Sequence, residues 1–114
     1  MESDDFSIKE ACWGSMHVEH GSFRKEMDGT PFLKGLPNDR CQSPHWGYVF
    51  KGAIRVRYHD REEVIRAGDS YYIEPNHAAI IEAGTDYVEF SPEDDYHRTM
   101  EVMNRNLEAM GDQG

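Results

Sequence analysis

The sequence predicts an all-β domain followed by one C-terminal helix, and three observations carry that reading. From about Trp13 to Phe90 short apolar or alternating runs are separated by Gly, Pro, Asn and Asp, the spacing of an antiparallel β domain. After Phe90 the period changes from two to that of a helix. A chain of 114 residues is also the size of one compact domain, with no repeat or low-complexity segment to suggest another.

The elements follow in order. Residues 1–12, MESDDFSIKEAC, read as an N-terminal extension, residues 13–92 as the β domain, and residues 93–114 as helix and tail. MHVEHG places His17 and His20 on opposite sides of any strand they share, and solvent-facing positions at a rim are the simpler expectation. Between Gly21 and Arg40 the apolar residues Phe23, Met27, Phe32 and Leu36 follow no period, so a strand and a long loop are expected there. HWGYVFKG opens the next strand. AIRVRY is the clearest one, with Ile54, Val56 and Tyr58 on one face and Arg55 and Arg57 on the other. His59-Asp60-Arg61 is a turn, EEVIRA a returning strand, Ala67-Gly68-Asp69 a reversal, and SYYIE, HAAIIEA and YVEF the remaining strands. SPEDD then supplies Ser91 as an N-cap, Pro92 at the first helical position and acids suited to the positive end of the helix dipole. Tyr96, Met100, Met103, Leu107 and Met110 form an apolar stripe read as a packing face against the sheet or a second subunit, with Gly111 as the stop.

Lys and Arg total 12 against 22 Asp and Glu, a formal net charge of -10 that repels nucleic-acid phosphates and anionic membrane. The acidic start lacks the basic and apolar regions of a secretory signal, so a cytoplasmic protein is expected, without nucleic-acid or membrane partners. In such a compartment Cys12 and Cys41 are not expected to pair.

The segment DRCQSPHWGYVFKG, with GAIRV, AGD and YYIEPNH after it, resembles the cupin superfamily over about Pro37 to Pro92. The resemblance implies a cupin-type jelly-roll β-barrel, a pocket for a small molecule, commonly a bound metal, and a homodimer. In the usual pattern two histidines separated by one residue are followed by a glutamate and then a glycine seven positions on; anchored on Gly52, the slots fall on Asp39, Cys41 and His45. The third histidine slot falls on Ala79, with His77 two residues before it on the same side of an extended chain. The standard ligand set is therefore absent. Its replacement is a set of three inward candidates, Cys41, His45 and His77. The segments DRCQSPHWGY, EPNH and EFSP further resemble a subgroup of small bacterial cupins for which no reaction is implied.

A thiolate with two imidazoles suits zinc first, with iron or nickel as further candidates, and leaves a position open for water or substrate. Asp39 or Glu89 could add a fourth ligand. Glu89, between apolar neighbours in EFS, is the candidate catalytic acid or base, its plainer alternative being an outward-facing strand residue. A nucleophilic Cys41 with His45 or His77 as base is a competing arrangement. Trp46, Tyr48, Tyr71 and Tyr72 read as core or interface aromatics, with one tyrosine able to bring its hydroxyl to the pocket. His59 and His97 are placed on the surface. Two functions follow: a metal-binding cupin acting on a small organic molecule, or a non-enzymatic module that binds a small ligand or senses metal or redox state.

Overall fold

The computed structural model describes residues 2–112, with the helix side chains described through Met110. Two antiparallel sheets face each other. The first has the order β1 (Phe6–Trp13), β2 (Met16–Phe23), β9 (Thr85–Pro92), β4 (His45–Lys51) and β7 (Ser70–Ile73). The second runs β3 (Met27–Asp28), β8 (Ala78–Ile81), β5 (Ala53–Arg57) and β6 (Glu62–Arg66). The helix α1 spans Glu93–Asp112. Among the described residues no helix is long and apolar enough to cross a membrane.

The extension expected at residues 1–12 is corrected from Phe6 onward. Phe6, Ile8 and Glu10 alternate with Ser7, Lys9 and Ala11, and β1 pairs with β2 along its whole length, from Phe6↔Phe23 to Trp13↔Met16. The charges at Lys9 and Glu10 hid the alternation. Between Gly21 and Arg40, β2 ends at Phe23 and a two-residue β3 is followed by two short 3-10 turns, Thr30–Leu33 and Pro37–Asp39.

The core lies between the sheets. Val49, Ile73 and Tyr87 of the first meet Ile54, Val56 and Ile65 of the second, all buried. Tyr71 joins them, whereas Trp46, Tyr48 and Tyr72 lie on the outer face of the first sheet, where Trp46 and Tyr72 pack ring to ring at 5.4 Å. These three aromatics are therefore outside the core.

The helix differs from expectation at both ends. β9 continues through Pro92, so α1 begins at Glu93 with three acids in its first turn, and the Ser91 hydroxyl turns inward to His45. Gly111 lies inside the helix. Asn106 anchors α1 by donating to the carbonyls of Phe32 and Lys34, at 2.7 and 2.8 Å. The apolar stripe thereby faces into the molecule as far as Met103, while Leu107 and Met110 are about half exposed.

The corner between β4 and β5 depends on Gly52. Its φ is +79°, and a Cβ there would stand 2.3 Å from Thr85 Oγ1, an atom that also bridges the N–H and C=O of Ala53. Gly68 has φ +92° but open space around its Cβ position. Urea unfolding should therefore separate them: Gly52→Ala is expected to cost about 3 kcal/mol and Gly68→Ala about 1. Equal losses would contradict the steric role given to Thr85.

Candidate metal centre

Three elements bring Cys41, His45 and His77 together. Cys41 and His77 are joined by backbone bonds, Cys41 N–H to His77 C=O at 2.8 Å and the return bond at 3.1 Å. His45 begins β4 and points inward with Gly47 and Val49. One donor atom from each of the three lies within 4.8 Å of the others, and all three residues are buried. The Cys41 Sγ to His45 Nε2 distance is 3.7 Å. A tetrahedral zinc with S and N ligands has an S···N edge of about 3.6 Å, so this edge already fits.

Each imidazole is held by its other nitrogen. His77 Nδ1 donates to the Glu74 carbonyl at 2.7 Å, which leaves Nε2 without a proton and free to bind. His45 Nδ1 is 2.6 Å from the Ser91 hydroxyl, so Nε2 turns toward Cys41. Burial is the main reason both rings are pushed down to about 4, with the neighbouring His17 adding to the effect on His45 and His45 adding to that on His77. Both are neutral at physiological pH, as ligands must be.

Cys41 is different. Burial raises its pKa above the ordinary thiol value, against the lowering effect of the Ser43 backbone and Thr99 hydroxyl. A protonated thiol between neutral histidines is a poor nucleophile. The same thiol would lose its proton to a metal.

Glu89 faces the interior rather than solvent. It stands on β9 opposite Glu19 of β2 and Gly47 of β4. Its Oε1 accepts from the Tyr71 hydroxyl at 2.9 Å, and Oε2 is 3.6 Å from His45 Nδ1. That is the far side of the ring from Cys41, and Glu89 is absent from the three-residue group. Asp39 is also outside it, exposed, with its carboxylate accepting from the Gly35 N–H at 3.0 Å.

Two glycines build the slots for the tyrosines. A Cβ on Gly47 would stand 2.5 Å from the Tyr71 ring, and one on Gly21 equally close to Tyr87, whose hydroxyl donates to Glu19. Burial first, and the neighbouring carboxylate second, hold Glu19 well above the usual range; burial does the same for Glu89, against the lowering effect of the Tyr71 bond. The Tyr71 and Tyr87 hydroxyls stay protonated donors for the same reasons.

Cys41, His45, His77, Glu19, Tyr87 and Glu89 line a cavity of about 340 Å³ whose walls are mostly apolar and which α1 covers with Tyr96, Thr99, Met100 and Met103. Glu10, Glu19 and Glu89 line it, and among the described residues no Lys or Arg does. His17, expected at a rim, is buried beneath Tyr96, with ring centroids 3.4 Å apart. His20, His59 and His97 are exposed. Glu19 was not among the sequence candidates, and Tyr96 was given only a packing role; the signal for Glu19 lay in the period-two step from His17 through Glu19 to Gly21, once one of them is known to face inward.

No family model and no curated relative matches the chain by sequence. Solved structures match well in shape. A cupin-2 domain protein from Shewanella frigidimarina superposes with a TM-score of 0.51 at 10% identity, covering 79% of this chain and 82% of its own. The chain has the cupin fold. KdgF from Halomonas sp. matches at a TM-score of 0.54 and 19% identity, over 79% of this chain and 81% of that one. The EutQ protein of Clostridium difficile matches at 0.56 and 11%, over 80% and 71%.

The buried carboxylates make stability depend on pH. A glutamate held above its ordinary value of 4.5 keeps its proton in the folded state over a range where the unfolded chain has lost it. Stability then falls as pH rises from about 4.5 toward neutrality. In metal-free protein, Glu89→Gln should gain on the parent by on the order of 2 kcal/mol between pH 5 and pH 8, read by chemical denaturation. His45 and His77 act in the opposite direction but equally in both proteins. A difference independent of pH would show that Glu89 is not held protonated.

Proposed function

We propose that the chain is a jelly-roll barrel that holds a divalent transition metal, zinc first, between Cys41, His45 and His77, and acts on a small organic molecule in its cavity. The observation that carries this reading is the convergence of a thiol and two neutral imidazoles, each ring anchored through its other nitrogen. Bound there, a metal would supply Lewis acidity and lower the pKa of a water molecule. Zinc accepts this soft donor set, and iron and nickel are the alternatives.

The chain's own residues do the rest. Tyr71 fixes one oxygen of Glu89, leaving the other beside His45 to give or take a proton at the cavity wall. A carboxyl with a raised pKa suits that role at neutral pH. The apolar walls exclude water from the reacting groups. Three lining glutamates, with no lining Lys or Arg among the described residues, favour a neutral or cationic molecule over a phosphate or carboxylate.

The mostly apolar wall also supports a second reading, a module that binds a small molecule without changing it. A thermal-shift screen of neutral and cationic compounds, followed by mass spectrometry of the stabilising ones, separates the two readings. Turnover supports the enzyme; recovery of unchanged ligand supports the module.

Elemental analysis of protein purified without chelator tests the metal. Cys41→Ser and His45→Ala are each expected to lower its affinity at the three-residue centre by at least tenfold. Circular dichroism of both variants checks that a loss of metal is not a loss of fold. Undiminished binding in both variants would exclude the centre.

A further inference from the structure

We infer that Glu10, His17 and Glu19 form a second divalent-cation site, with a harder donor set than the Cys41 centre. The three residues stand on the inner face of β1 and β2. Glu10 and Glu19 are cross-strand partners, and His17 lies two residues from Glu19 on the same face. One donor atom of each lies within 4.8 Å of the other two.

Two carboxylates close together are common without any ion. His17 is what distinguishes this group. The residue is only 7% exposed, and among the described residues its Nε2 is the one buried side-chain nitrogen or oxygen without a hydrogen-bond partner. Native structures rarely leave such an atom unmatched, and a ligand is one of the explanations when they do. The plane of its ring is fixed, because it lies flat against Tyr96 with an interplanar angle of 11°.

The donors around that nitrogen fit a metal. Glu10 Oε2 is 3.7 Å from His17 Nε2, beyond hydrogen-bonding range. The N···O edge of a tetrahedral site with bonds near 2.1 Å is about 3.4 Å, so a small movement of Glu10 closes it. Glu10 can make that movement, since its side chain is 43% exposed. Glu19 accepts from Tyr87 through Oε2, and among the described residues no hydrogen bond occupies Oε1. Once the ion displaces the Glu19 proton, two carboxylates and one imidazole balance its charge and suit zinc, manganese or ferrous iron. Among the described residues no lining Lys or Arg competes for the carboxylates.

The site is separate from the thiol centre in residues and chemistry. Glu89 stands between the two, opposite Glu19 across the strands and 3.6 Å from His45 Nδ1. An ion at each place would put Glu89 within reach of both environments.

Cobalt(II) distinguishes the sites, because only a thiolate ligand gives an intense near-ultraviolet charge-transfer band. Metal-free full-length protein is titrated with cobalt, and bound metal is counted by equilibrium dialysis with elemental analysis. Two equivalents are expected, one of them accompanied by the band. Cys41→Ser should remove the band and one equivalent. Glu10→Gln, at a partly exposed position that leaves folding intact, should weaken the other equivalent at least tenfold and keep the band; His17→Gln should do the same. A bandless equivalent sensitive to Glu10→Gln supports the second site even if the thiol centre fails. No bandless equivalent, or one unaffected by both Glu10→Gln and His17→Gln, overturns it.

Discussion

The register of β9 is the constraint on which the site depends. Thr85, Tyr87, Glu89 and Ser91 all face inward from this strand, paired on one side with β2 and on the other with β4. Thr85 supports the corner at Gly52, Tyr87 holds Glu19, Glu89 receives Tyr71, and Ser91 orients His45. A slip of one residue would send all four outward and bring Asp86, Val88 and Phe90 into the cavity. Pairing on both edges makes that slip costly, so one strand fixes the positions of groups contributed by four others.

The chemistry follows from placing polar groups inside this frame. The buried imidazoles of His45 and His77 lose their affinity for protons, and the buried carboxyls of Glu19 and Glu89 keep theirs. Such a cavity has few protein cations to offer. The proposed metal ion would complement this cavity, taking Cys41 as a thiolate beside two neutral histidines. Gly21 and Gly47 matter for the same reason, since only the absence of a Cβ lets the two tyrosine rings reach those carboxylates.

Much of this was legible in the sequence. Strict alternation in AIRVRY gave a strand whose Ile54, Val56 and Tyr58 are buried, and the glycine at position 52 marks the corner between sheets. Cys41, His45 and His77 were identifiable as an inward group from the resemblance, since a C-x3-H spacing is not diagnostic by itself. Other parts were hidden by physical causes. Charged Lys9 and Glu10 masked β1, and Ser91 carries the signature of a helix cap while its hydroxyl is used by a histidine across the sheet. His17 was read as exposed because nothing local announces that Tyr96, far along the chain, will cover it. Burial of a polar strand residue is decided by its partner elements, and those are non-local.

The most direct measurement of the central claim is an anomalous difference map from crystals grown with zinc, recorded above and below the zinc absorption edge. The account predicts a peak about 2.0–2.3 Å from Cys41 Sγ and from the Nε2 atoms of His45 and His77. With zinc in excess, a map lacking density among these three atoms would contradict it.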